Sequence, residues 1–170
     1  MGQLAIPIAI ASAATAAVVS YQGYQQAASQ AKAAGDYNKR VYEYRAKVSE
    51  QDIEIIGRKN EQDKYYFDRD FKKYQGQTVV AYLKNGVSIE GGTPYAQLKQ
   101  NYDDAQYQKD IMDYNASIGQ KNAEDNALFE RMTGSISQMN AYAQAQSYQY
   151  QAYSSLLTGV QKVGYYGSLA

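Results

Sequence analysis

Three pairs of carboxylates lie close together in the sequence: Asp68 with Asp70, Asp103 with Asp104, and Glu124 with Asp125. Two facing carboxylates can share acid–base work, and clustered oxygens can hold a hard cation. Neighbouring positions on a helix do not face each other, however. These pairs read as solvated helix faces, and a dyad or metal site would have to be built across two elements. The sequence has no histidine and no cysteine. That excludes imidazole bases, Ser-His-Asp triads, cysteine nucleophiles, disulfides and thiolate zinc sites. Gly91-Gly92 could cradle a phosphate, but no Gly-Lys-Ser/Thr follows and no strand pattern precedes it. The expectation is a protein that is not an enzyme, with no catalytic residues, no cofactor and no metal.

The elements that carry these residues are set out by charge. The 170 residues hold 17 basic and 17 acidic side chains, a formal net charge of zero. A balanced chain lacks the basic excess that captures nucleic acid. Its 19 tyrosines could stack single-stranded bases, but without a basic groove they read as amphipathic packing surface. No charged side chain occurs before Lys32, and after Arg131 there is only Lys162. Five segments follow: an uncharged apolar head (1–31), a first long helix (32–84), a connector (85–94), a second long helix (95–131), and an uncharged Ala/Gln/Ser/Tyr-rich tail (132–170).

The charged middle reads as helix. Asp36–Arg40, Glu43–Lys47, Glu54–Arg58 and Asp68–Lys72 place acid before base at i,i+4, each adding about 0.2–0.5 kcal/mol. Val41, Tyr44, Val48 and Ile55 step by helical spacing, with Gln51 as a polar gap. Phe67, Phe71, Tyr74 and Thr78 resume the stripe. Beyond the connector come Tyr95, Leu98, Tyr102 and Ala105. Met112, Ile118, Phe129, Met132, Ile136 and Met139 follow less regularly. Gly57, Gly76, Gly119 and Gly134 are places where the helices could bend.

Between the helices, "LKNGVSIEGGTPYAQL" is a hairpin tip. Asn85 and Gly86 tolerate the left-handed conformation that stops a helix. Val87 and Ile89 alternate in a short extended piece that can cover the apolar end. Gly91 and Gly92 allow a turn, Thr93 can cap the next helix, and Pro94 suits its first position.

The head, "MGQLAIPIAIASAATAAVVS", is apolar or small from Leu4 to Val19. As a helix its roughly 16 residues reach about 24 Å, short of the ~30 Å hydrocarbon core. It lacks the basic flank of a signal peptide, and Ile6 stands where myristoylation wants Ser or Thr. Two readings remain open: a small-residue helix packed in an oligomer, or a segment that enters a membrane under some condition. The membrane candidates are Leu4, Ile6, Ile8, Ile10, Ala13, Ala17, Val18 and Val19, with Ala13 and Ala17 permitting close helix approach in either setting. Leucine, isoleucine and phenylalanine are too sparse for a large core in one copy. The expected fold is all-α: an elongated helical hairpin of two long helices with a small-residue apolar N-terminal helix, assembled in an oligomeric ring.

Two stretches together resemble a known family. "AIPIAIASAATAAVVSYQGYQQAASQAKAA" is similar to the start of the smallest internal virion protein of short-tailed podophages, the internal virion protein B family. "LKNGVSIEGGT" resembles the break between that family's long helices. The layout covers nearly the whole chain and the motifs about a quarter of it. The tyrosine content and the lack of a basic C-terminal tail depart from the family. The resemblance implies a core protein inside the capsid, stacked on the portal beside other internal core proteins as a homo-oligomer. It implies ejection at infection and a channel across the host outer membrane, with only non-specific contact to passing DNA. Leu4 to Val19 would then be the membrane segment and Val87 to Thr93 a tip for subunit contacts. The competing expectation is a structural helical adaptor of a virion tail or secretion-like assembly that is never ejected.

Overall fold

The computed structural model describes residues 5–168, with side chains described from Ala11 to Tyr165 and at Ser168. Leu4 lies outside the described residues, and for Ile6, Ile8 and Ile10 only the helical backbone is described. Two α-helices account for nearly all of the chain: α1, Ala5–Lys84, and α2, Gly92–Gly167. The fold is all-α, with no strand among the described residues. The head is not a helix of its own. No Pro or Gly interrupts the helix between the head and the charged stretch at a point that breaks it, so α1 passes through residue 31 unbroken, and α2 likewise continues through residue 132. Nor do Gly57, Gly76, Gly119 and Gly134 end either helix.

Two compact units divide the chain, residues 1–44 with 130–170, and residues 45–129. In the first unit, contacts from α1 to α2 fall in opposite order along the two helices: Ala17 with Gly159, Tyr21 with Tyr153, Gly35 with Ala141, and Tyr42 with Gly134. In the second, Ile56 meets Gly119, Lys64 meets Asp113, and Gln75 meets Leu98. Within each unit the pairing is therefore antiparallel.

What each pair buries is unexpected. Every buried hydrophobic residue among those described is alanine: Ala28, Ala145 and Ala152 in the first unit, and Ala46, Ala105, Ala123 and Ala127 in the second. Gly35, Gly134 and Gly159 are buried beside them. Small side chains let the backbones approach closely. A Cβ on Gly35 would lie 2.6 Å from the Ala141 Cβ, and one on Gly159 would overlap that of Ala17. Along α2 in the first unit, Ala145, Ala152 and Gly159 are buried at steps of seven residues, about two helical turns.

The stripes of larger apolar residues do not form this seam. Tyr44, Val48 and Ile55 are 69%, 40% and 60% exposed, and Tyr74, Tyr95, Tyr102, Ile118, Phe129, Met132, Ile136 and Met139 are exposed too. Val41, Phe67, Phe71, Leu98 and Met112 are half-buried at its edges. Regular spacing identifies a face but not its partner. Here the shorter side chains win the intramolecular contact because they permit close packing along its whole length.

Candidate interaction surfaces

Because each buried alanine removes little apolar area from water, polar ties across the seam matter. In the first unit, Asp36 Oδ1 accepts hydrogen bonds from Gln138 Nε2 (2.7 Å) and Tyr142 Oη (2.8 Å). These two donors hold the Asp36 carboxyl below its ordinary range, with Arg40 and Lys39 adding to the effect. The same bond raises the Tyr142 phenol, since ionising it would set two negative charges together. In the second unit, Asp113 accepts from Asn60 Nδ2 (2.6 Å) and Lys64 Nζ (2.7 Å), which lowers its pKa. Gln75 and Gln120 reach across to the backbone carbonyls of Leu98 and Ile53, each at 3.1 Å.

The four expected i,i+4 pairs fare unequally. Glu54 and Arg58 form theirs. Asp68 instead pairs across the seam with Lys109 at 3.1 Å, and Asp36 is taken by Gln138 and Tyr142. Partners on the opposite helix are held in place by the close backbones, so they compete well with flexible neighbours on the same helix. The carboxylates that could do chemistry are not assembled: Asp70, Asp103, Asp104, Glu124 and Asp125 are exposed. No group of three potential metal ligands occurs among the described residues.

At the tip, α1 ends in a glycine-capped turn. Gly86 N donates to Leu83 O (3.0 Å) and Val87 N to Tyr82 O (3.0 Å), the pairing of a Schellman cap. Gly86 takes φ +70°, but Asn85 does not enter the left-handed region. Its amide instead donates to Ala81 O at 2.9 Å. Of the Gly91-Gly92 pair only Gly92 takes a positive φ, +70°. Because α2 begins at Gly92, Thr93 and Pro94 fall inside its first turn and the connector is shorter than 85–94. Ile89 is half-buried and Val87 is 39% exposed, so Ile89 covers the end better. The tip residues are thus brought together.

The head residues are split between two faces. Ala13 and Ala17 are half-buried on the seam, while Val18 and Val19 are 48% and 62% exposed. An open groove of about 690 Å³ runs beside this pairing, lined by Ser12, Ser20, Ser154, Thr158 and Lys162 among others. Among the described residues no helix is long and apolar enough to cross a membrane.

These surfaces define the class: a two-helix protein whose inner seam is made of small residues and whose large apolar side chains face outward. No family model, curated protein or solved structure matches the chain.

Proposed function

We propose that this chain is an assembly subunit, an internal core protein of a virion. In this reading it stacks on the portal as a homo-oligomer, beside other internal core proteins. It is ejected at infection and helps form a channel across the host outer membrane, contacting passing DNA non-specifically. The ring assembly expected from the sequence belongs to this proposal. The observation that carries the assembly part is the inversion of the core: alanine and glycine inside, tyrosine, methionine, isoleucine and leucine outside. Such a subunit completes its burial against other chains. The virion assignment rests on the resemblance of the head and of the connector. The charge-free head supports membrane entry, because each ion at a bilayer centre costs several kcal/mol.

A second reading is a structural helical adaptor that stays in its assembly. It is favoured by the packing of Ala17 against Gly159, which gives the head a role within the fold. Quantitative mass spectrometry of purified particles, full against emptied by receptor-triggered ejection, separates the readings. Depletion on emptying supports the ejected core protein. Retention supports the adaptor, and absence from both kinds of particle removes the virion proposal.

A further inference from the structure

The outer face of α2 carries a second periodicity. Met132, Ile136 and Met139 open it, and Tyr150, Tyr153, Leu157 and Val160 continue it. Ala143 and Gln146 fill the steps between, so the spacing alternates 4,3 without a break from 132 to 160. This is a heptad pattern over four repeats, about 43 Å of helix. All seven large residues are exposed, from 54% at Ile136 to 76% at Tyr150. Met132, Ala143, Tyr150 and Leu157 each stand two residues before a buried seam residue: Gly134, Ala145, Ala152 and Gly159. Two residues turn a helix by about 200°, so these four lie opposite the seam, while Gln146, Tyr153 and Val160 follow a buried residue by one and lie at its flank, where Tyr153 meets Tyr21 of α1.

A strict heptad drifts about 20° per repeat and winds left-handed, which suits the stripe to another helix of the same period. Between Arg131 and Lys162 there is no charged residue, so two identical stripes meet without like-charge repulsion. A partner with charged flanks would find nothing to pair with. Gln146, at the midpoint, is the polar residue within the stripe, and a second Gln146 satisfies its amide when two copies run parallel and in register. Exposed tyrosines bury roughly 150–250 Å² each, which with Met, Ile, Leu and Val brings the stripe to the scale of about 800 Å² per partner in a stable interface.

We propose that the Met132–Val160 stripe is a self-association surface that pairs in parallel with the same stripe of a second copy of this chain. The proposal deepens the homo-oligomer part of the assembly reading. Its test uses purified protein, so it can fail while the particle experiment succeeds, and the reverse.

Sedimentation equilibrium of the full chain should give a dimer or higher oligomer. The Met139→Glu/Tyr150→Glu variant should associate at least roughly 100-fold more weakly, because it buries unpaired like charges. Its circular dichroism should be unchanged, because both positions are exposed in the single chain. The chain has no cysteine of its own. Gln146→Cys should therefore form an intermolecular disulfide under mild oxidation. A monomeric wild-type chain at about 100 μM overturns the proposal, as does absence of the Gln146→Cys crosslink in an oligomer that the glutamates leave intact. If the chain is monomeric and the glutamates instead abolish binding to phosphatidylcholine vesicles, the stripe is a lipid surface and the proposal fails.

Discussion

Gly134 on α2 lies against Tyr42 on α1 so closely that a Cβ built on the glycine would stand 2.8 Å from the Tyr42 Cβ. Lys39 Cα and O close the same space at 3.5 Å. The obstructing atoms are a Cβ and backbone, neither of which can swing aside. The glycine is tolerated in mid-helix, where it costs about 1 kcal/mol against alanine, because the seam needs the space.

Gly134→Ala should therefore destabilise the protein by about 1–3 kcal/mol despite alanine's better helix propensity. Gly76→Ala, where nothing lies within 4 Å of an added Cβ, should stabilise it by about 0.5–1 kcal/mol. Urea denaturation of the two variants checks the pair. Equal shifts in the same direction would mean that the helices do not approach as described.

Ala145 is fully buried and Ala143, two residues earlier, is exposed. Ala145→Leu should cost about 1–3 kcal/mol through overpacking. Ala143→Leu should stay within about 0.5 kcal/mol when measured on dilute protein. Thermal melts that rank the two the other way round would reverse the inner and outer faces of α2.

Asp36 supplies a pH dependence with a definite sign. Its carboxyl is lowered in the folded chain, chiefly by the Gln138 hydrogen bond and then by that of Tyr142. The stabilisation is present above the ordinary carboxylate pKa and is lost as pH falls through the lowered value. Tyr142 works in the opposite direction: raised in the folded chain, it stabilises below its ordinary pKa and loses that contribution as pH rises through the raised value. Asp36→Asn should melt below the wild type at pH 7 and converge with it in acid. Tyr142→Phe should flatten the alkaline decline. A constant difference between Asp36→Asn and wild type from pH 7 to pH 3 would contradict the assignment.

A charge that probes membrane entry must be placed on the exposed face of the head. Ala13 is unsuitable because it lies on the seam, where lysine would damage packing as well. Val19 is 62% exposed, so Val19→Lys should keep the helical content. If the head enters membranes, the charge should lower vesicle leakage by roughly tenfold or more, in line with an insertion penalty of about 2.5–3.5 kcal/mol. Leakage equal to wild type would assign the head to packing alone.

Gly86, with a positive φ, and Gly91, without one, set a further test at the connector. Gly86→Ala should cost about 1–2 kcal/mol because alanine is strained in the left-handed region. Gly91→Ala, with neither a positive φ nor an atom within 4 Å, should change stability by less than about 0.5 kcal/mol. Guanidinium titrations of both variants separate a capping role for Gly86 from a general need for flexibility.

The sequence by itself determined the two helices and the place where they part. Helical spacing and i,i+4 charge order mark the arms, and Asn85-Gly86 with Thr93-Pro94 marks the break, because caps and turns act through a few neighbouring residues. The uncharged head and tail were equally legible, although their boundaries at 31 and 132 mark changes of composition and not helix ends. Which face turns inward was decided only by the tertiary structure. Tyr44, Val48 and Ile55 have the spacing of a core stripe, yet Ala46 beside them is the residue that is buried. Period is a property of one helix, whereas burial depends on how closely a second helix can come. Alanine and glycine set that distance, and the cross-helix partners of Asp36, Asp68 and Asp113 follow from it. The heptad from Met132 to Val160 was present in the spacing throughout. Its meaning as an outer surface required the inner seam to be located first.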